Sequence, residues 1–95
     1  METNEVTKSH RDKQNLTVRG FSDAINAKLL NTGISPSMVS RIENEHYEPP
    51  LNLIFECIAT YPGTWISLWA IDNFCAMYPD LVQNGIITFN LPIRK

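Results

Sequence analysis

Few side chains in this sequence have the types and spacing needed for catalysis or metal binding. His10 and His46 are far apart in the chain, and neither has a cysteine or a carboxylate at metal-ligand spacing. Cys57 and Cys75 each lie in an apolar stretch, which favours two small core residues over a disulfide bridge. No nucleophile, base and orienting group can be combined from their spacing, and there is no glycine-rich phosphate loop. We therefore expect no enzymatic activity, no metal site and no cofactor.

Hydrogen-bonding chemistry is concentrated in residues 34–44, Ile-Ser-Pro-Ser-Met-Val-Ser-Arg-Ile-Glu-Asn. Ser35 can cap a helix, and Pro36 suits its first position because the N–H that proline lacks would have no partner there. The pattern predicts a helix that begins at Pro36. Its apolar side carries Met38, Val39 and Ile42. Pro36 and the polar residues lie mostly on the opposite side: Pro36, Ser37, Ser40, Arg41 and Asn44.

The polar side of this helix has the chemistry that reading DNA requires. A helix N-terminus can approach phosphates, and the first two turns can reach base edges in the major groove. The planar guanidinium of Arg41 can donate two hydrogen bonds to a guanine. Ser37 and Ser40 can contact a base or a phosphate, Ser35 and Pro36 stand where the helix starts, and Asn44 ends the same face.

The segments on either side of this helix predict further helices. Ser22 is a suitable N-cap for a short amphipathic helix, with Asn31-Thr32-Gly33 as its stop. The Pro49-Pro50 pair excludes helix through that point, so residues 45–50 are predicted to form a loop. A packed helix is expected from Leu51 to Tyr61.

Thr64 can cap a helix that carries Trp65 and Trp69. Apolar residues lie nearly all round it, so this helix is either central to the core or shared with a partner. The two tryptophans are one helical turn apart, which favours core or interface anchors over a ligand cage.

The C-terminal end of the sequence has the alternating pattern of a strand. Ile87, Phe89 and Leu91 alternate with polar residues, and Pro92 stops the pattern. A lone strand needs a partner. It could pack on its own domain, pair with its copy across a two-fold axis, or offer an edge to another protein, and we favour self-pairing.

Size and charge limit the classes of function. The 95 residues suffice for one small domain. The net charge of −2 does not favour non-specific binding of polyanions, so any nucleic-acid binding must rely on a local patch. No apolar run is long enough to span a membrane, and the polar start has no signal-peptide core, so we expect a cytoplasmic protein. The first fifteen residues are expected to form a frayed arm or a weak first helix.

Residues 34–44, followed by Pro50 and an apolar helix, resemble the second half of the lambda-repressor-like (Cro/repressor, XRE-type) helix-turn-helix domain. Downstream, residues 62–66 resemble the turn and tryptophan that often open the fifth helix. Upstream, Arg11 and Leu16-Thr17 resemble the end of helix 1 and the start of helix 2. The resemblance implies a mainly α, four- to five-helix domain over about residues 10–80, with a flexible arm at 1–9 and a C-terminal strand or tail at 81–95 that could mediate dimerisation.

The resemblance also assigns roles to individual residues. Glu43 becomes a structural carboxylate, for which Arg11 is the candidate partner, and Val39 and Ile42 become core. Asn44 is assigned to phosphate contact. The DNA-facing side that it implies comprises Pro36, Ser37, Ser40 and Arg41, and Ser35 at the helix entry is a further candidate DNA contact.

The spacing between helices 2 and 3 departs from this pattern. Leu16 and Ser35 are nineteen residues apart, against about a dozen in the family. Either helix 2 carries an insertion around Gly20, or it begins at Ser22 and is followed by a longer turn at residues 31–33.

Two functions from different classes fit these features. The first is a sequence-specific transcriptional regulator, repressor-like, that binds a double-stranded DNA operator as a homodimer through the helix starting near Pro36. The second is an antirepressor or antitoxin that uses the same scaffold to bind another protein. The net negative charge and the acidic loop from Glu45 to Glu48 favour the second.

Overall fold

The computed structural model describes residues 2–83 and 85, and this part of the chain forms six α-helices. They are α1 (Thr3–Lys13), α2 (Val18–Asn26), α3 (Pro36–Asn44), α4 (Leu51–Thr60), α5 (Trp65–Met77) and α6 (Pro79–Gln83). The mainly helical architecture expected from the sequence is confirmed over these residues. The strand predicted around residues 86–92 lies outside them. No helix in the described part is long and apolar enough to cross a membrane.

The core lies where α5 meets α1 and α4, and where α3 meets α1 and α2. Trp69 of α5 is fully buried, and its ring meets that of Phe21 of α2 edge-on, with centroids 5.6 Å apart. The other fully buried apolar side chains include Ile25, Val39, Ile42, Ile54 and Cys57. Leu68 on the opposite side of α5 stays half-exposed, so the apolar residues around this helix do not all enter the core.

The N-terminal segment is helical from Thr3. Of the two expectations for the first fifteen residues, a frayed arm or a first helix, the helix is therefore the correct one. A capping box between Glu2 and Glu5 satisfies backbone donors at its start. Val6 and Thr7 are buried against the rest of the protein. The Thr7 hydroxyl accepts a hydrogen bond from the indole N–H of Trp69, 3.0 Å away. Residues 3–9, which lie within the arm that the resemblance implies, belong to α1.

Helix α2 starts where the resemblance at Leu16-Thr17 places helix 2, which corrects the start expected at Ser22. It begins at Val18, with the Thr17 hydroxyl as its cap accepting from the Gly20 N–H at 3.0 Å. Ser22 lies inside the helix, fully buried, and its hydroxyl donates to the Arg19 carbonyl at 2.9 Å. The helix ends at Asn26, ahead of the predicted stop at residues 31–33. The connection to α3 therefore covers residues 27–35, α2 runs unbroken through Gly20, and the start expected at Ser22 is wrong.

Candidate nucleic-acid interface

Helix α3 begins at Pro36, as the sequence predicts. The Ser35 side chain accepts a hydrogen bond from the Met38 N–H at 3.0 Å, and Pro36 is the first residue of the helix. Val39 and Ile42 have no exposed surface, so the apolar side of the helix is fixed in the core. The opposite side faces out of the domain.

The six residues predicted to meet DNA lie on this one element and its cap. Pro36 and Ser40 are half-buried, and the other four side chains are exposed: Ser35, Ser37, Arg41 and Asn44. The Asn44 amide donates to the Ser40 carbonyl at 2.9 Å, so one of its N–H groups is bound within the helix. The arrangement is a short polar ridge with one cationic side chain.

Arg41 is not an isolated charge. Its side chain is 54% exposed, and its Nε lies 3.8 Å from a Glu45 carboxylate oxygen. Its guanidinium carbon lies over the Tyr47 ring, 4.4 Å from the ring centroid. The sequence did not indicate the role of Tyr47, because nothing in the spacing of loop residues shows that the chain turns back onto the helix.

The turn at the end of α3 brings Tyr47 to this position. The backbone N–H groups of Glu45 and Tyr47 both donate to the Arg41 carbonyl, at 2.8 and 3.5 Å. Between them His46 has a φ of 55°, in the left-handed region that non-glycine residues rarely adopt. This reverses the chain, so the residue after His46 returns along the helix. The loop predicted for residues 45–50 is present.

A paired arginine and glutamate join α3 to α1. The Arg11 guanidinium donates two hydrogen bonds to the Glu43 carboxylate, at 2.7 and 2.9 Å, and a third to the Leu16 carbonyl at 3.0 Å. The Glu43 side chain is only 7% exposed. The hydrogen bond to Glu43 raises the pKa of Arg11, against the opposing effect of burial. The pair that the resemblance implied is present.

The connection between α2 and α3 is held by a carboxylate of α4. Glu56 accepts from the backbone N–H groups of Leu30 and Asn31, at 2.9 and 3.0 Å, and from the Thr32 hydroxyl at 2.6 Å. These hydrogen bonds together lower the pKa of Glu56 to about 2, and the bond from the Thr32 hydroxyl makes the largest contribution. Leu30, at the tip of this turn, is 90% exposed.

Two other side chains brace the same connection. Asn26 pairs with the backbone of Ile34, donating to its carbonyl at 2.7 Å and accepting from its N–H at 2.8 Å. The Tyr61 hydroxyl donates to the Ile25 carbonyl at 2.6 Å and accepts from the Lys28 N–H at 2.9 Å. The long turn is therefore a hydrogen-bonded unit that fixes where α3 begins. Spacing does not predict these contacts, because the partners are 8 to 36 residues apart in the chain.

The remaining reactive side chains are held separately. His10 is 2.7 Å from Asp72 and His46 is 3.5 Å from Glu2. Both cysteine thiols are free, and burial raises the pKa of Cys57 to about 12, which makes it a poor nucleophile. In the described part of the chain, no three His, Cys, Asp or Glu side chains come together as metal ligands.

An open cavity of about 370 Å³ lies between α1 and α5. It is lined by Val6, Ser9, His10, Lys13, Asp72, Cys75 and Ala76. The six residues of the ridge on α3 are not among its lining, so the cavity is separate from the candidate interface.

Comparison of the chain with protein-family models, curated proteins and solved structures finds no significant match.

Proposed function

We propose that this chain is a sequence-specific DNA-binding transcriptional regulator, repressor-like, whose α2 and α3 act as a lambda-repressor-like helix-turn-helix. One observation carries the proposal. The polar side of α3 is exposed and bears Arg41, whereas Val39 and Ile42 on its other side are completely buried. A helix fixed from behind can enter the major groove without rearrangement of the domain.

The chemistry of the exposed ridge supports this function. The guanidinium of Arg41 matches the O6 and N7 acceptors of guanine, and the hydroxyls of Ser37 and Ser40 suit a base edge or a phosphate. Asn44 can donate to a phosphate with its remaining amide hydrogen. Ser35 and Pro36 place the helix N-terminus, with its partial positive charge, at the same end of the ridge.

The position of the Arg11–Glu43 pair also supports the helix-turn-helix assignment. The family resemblance implies a carboxylate in the third helix that pairs with an arginine of the first, and the structure has such a pair. Because the net charge is −2, affinity must come from this local ridge and not from the overall field. The proposed complex is a homodimer on a symmetrical operator, with binding and no catalysis as its activity.

Selection of bound duplexes from a random DNA pool by the purified protein tests this proposal. The expected result is one enriched motif with two-fold symmetry. Binding to the enriched duplex should weaken steeply as salt is added, because protein cations that contact phosphates release counterions. Failure to enrich any motif would contradict the proposal.

A second function, binding of a protein partner as an antirepressor or antitoxin would, is favoured by a specific group of exposed residues. Leu30 is 90% exposed, and Phe55 and Leu68 are about half exposed. Exposed Glu45 and Glu48 place two carboxylates beside the ridge, where they would repel phosphates. Co-purification of a stoichiometric protein partner, together with no enriched DNA motif, would support this second function.

A further inference from the structure

Tyr47 holds the one arginine of the ridge through its ring face. The guanidinium carbon of Arg41 is 4.4 Å from the ring centroid, which is within the range of a cation–π contact. Glu45 is a weaker neighbour, because its oxygen lies 3.8 Å from Arg41 Nε, beyond hydrogen-bond distance. The aromatic ring is therefore the contact that defines the direction of this side chain.

Stacking through the face of a guanidinium leaves its N–H donors free. All five donors point outward in the plane of the group, and a ring beneath that plane does not consume them. The bidentate contact with a guanine uses the same in-plane donors. In a face-to-face arrangement with the Tyr47 ring, Arg41 can thus bind a base edge without losing this contact.

The backbone presents Tyr47 for this contact and fixes its position. Its N–H donates to the carbonyl of Arg41 itself, and His46 takes a left-handed φ to bring it back against the helix. Tyr47 is half-buried and packs against the core cluster, so its ring is held from behind. A long arginine side chain loses rotamer freedom when it binds, and holding it beforehand lowers that cost.

We propose that Tyr47 is a specificity-determining residue: its ring orients Arg41 for bidentate recognition of one base pair. This inference rests on the proposed function. Loss of the ring should weaken binding only where Arg41 reads a base. A cation–π contact at an exposed site corresponds to about a two- to five-fold change in affinity.

The test compares two variants of Tyr47. Tyr47→Phe keeps the aromatic ring, whereas Tyr47→Leu loses the ring and keeps an apolar side chain of similar bulk. Tyr47→Met is a second non-aromatic variant, and thermal unfolding establishes that each variant is folded. The base pair that Arg41 reads is identified as the motif position that Arg41→Ala no longer enriches. Affinities are then measured for the selected duplex and for a duplex changed at that position.

We expect Tyr47→Phe to bind the selected duplex as the wild type does, and Tyr47→Leu to bind it about two to five times more weakly. Neither change should affect the altered duplex, and Tyr47→Leu should have no further effect in an Arg41→Ala background. In the free protein, the Arg41 Cδ protons should show an upfield ring-current shift in NMR spectra that Tyr47→Leu abolishes.

Several results would overturn the inference. Equal affinities of Tyr47→Phe and Tyr47→Leu for the selected duplex would rule out the role of the ring and leave the proposed function intact. An equal loss on both duplexes would show that Tyr47 only supports the fold, and absence of the ring-current shift would show that the contact does not form. No DNA binding by the wild type would overturn this inference and the proposed function together.

Discussion

The Arg11 guanidinium donates two hydrogen bonds to the Glu43 carboxylate, and this contact joins residues 32 positions apart. The pair ties the exposed helix α3 to α1, next to the buried side of α3. Because the Glu43 side chain is 7% exposed, removing its partner would leave a carboxylate largely shielded from water. The position of the candidate DNA-binding ridge thus depends on a charge pair behind it.

Arg11→Ala is expected to destabilise the protein by about 3 kcal/mol, because the buried charge of Glu43 loses its compensation. The measurement is urea denaturation followed by circular dichroism. Arg41→Ala is the matched control, since it removes an arginine whose carboxylate neighbour, Glu45, is exposed. Such a surface pair contributes about 0 to 1 kcal/mol. Equal destabilisation by the two variants would contradict the structural role given to Arg11.

The turn before α3 should weaken in acid. Glu56 has a folded-state pKa of about 2, lowered from 4.5 by its hydrogen bonds, so its contribution to stability is fully present above the unfolded value. It is lost progressively as the pH falls from about 4.5 towards 2. Glu56→Gln should therefore be less stable than the wild type at pH 7, and this difference should shrink in acid.

Thermal unfolding of both proteins at pH 7 and near pH 2 measures this effect, and amide exchange at Leu30 and Asn31 reports on the turn itself. Asp23→Asn, which removes an exposed carboxylate from α2, is the control and should show little pH-dependent difference. A constant difference between Glu56→Gln and the wild type at both pH values would oppose the assignment.

The buried hydrogen bond between Thr7 and Trp69 predicts a non-additive pair of variants. Thr7→Val keeps the shape of the side chain but leaves the indole N–H of Trp69 without an acceptor, at a cost of about 1 to 3 kcal/mol. In a Trp69→Phe background no donor is left unpaired, so the same substitution should be nearly neutral. Chemical denaturation of the four proteins gives the coupling, and additive effects would mean that the bond contributes nothing.

The left-handed conformation of His46 predicts a stabilising substitution. Its φ is 55°, where a β-carbon is disfavoured by about 1 to 2 kcal/mol, so His46→Gly should raise the thermal midpoint. Asn15 has a similar φ of 60°, but the short polar side chain of asparagine can hydrogen-bond locally in this region, so Asn15→Gly should have a smaller effect. A larger gain from Asn15→Gly than from His46→Gly would contradict this account.

Signals local to the chain predicted helix boundaries well where one cap was available. Ser35-Pro36 marked the start of α3, and Thr64, whose hydroxyl accepts from the Ser67 N–H, marked that of α5. For α2 two starts were available: the cap pattern placed it at Ser22, which is wrong, and the resemblance placed it at Leu16-Thr17, which the structure has. Burial of Ser22 together with Phe21 decided between them, and that burial depends on the tertiary fold.

The spacing of residues along the chain could not predict the long-range contacts. The Arg11–Glu43 pair was expected only through the family resemblance. Glu56 and Tyr61 bind backbone groups 25 to 36 residues away, and no local pattern identifies those partners. Tyr47 was missed for a different reason, since its contact with Arg41 depends on the left-handed residue between them.

The central claim is that the exposed side of α3 binds DNA through Arg41, and a titration of three proteins on the selected duplex tests it most directly. Lys8→Ala is the charge-matched control, because it removes one cation from the exposed side of α1. The account predicts that Arg41→Ala loses about 1 to 3 kcal/mol of binding free energy, whereas Lys8→Ala binds nearly as the wild type does. Equal affinities of Arg41→Ala and the wild type would contradict it.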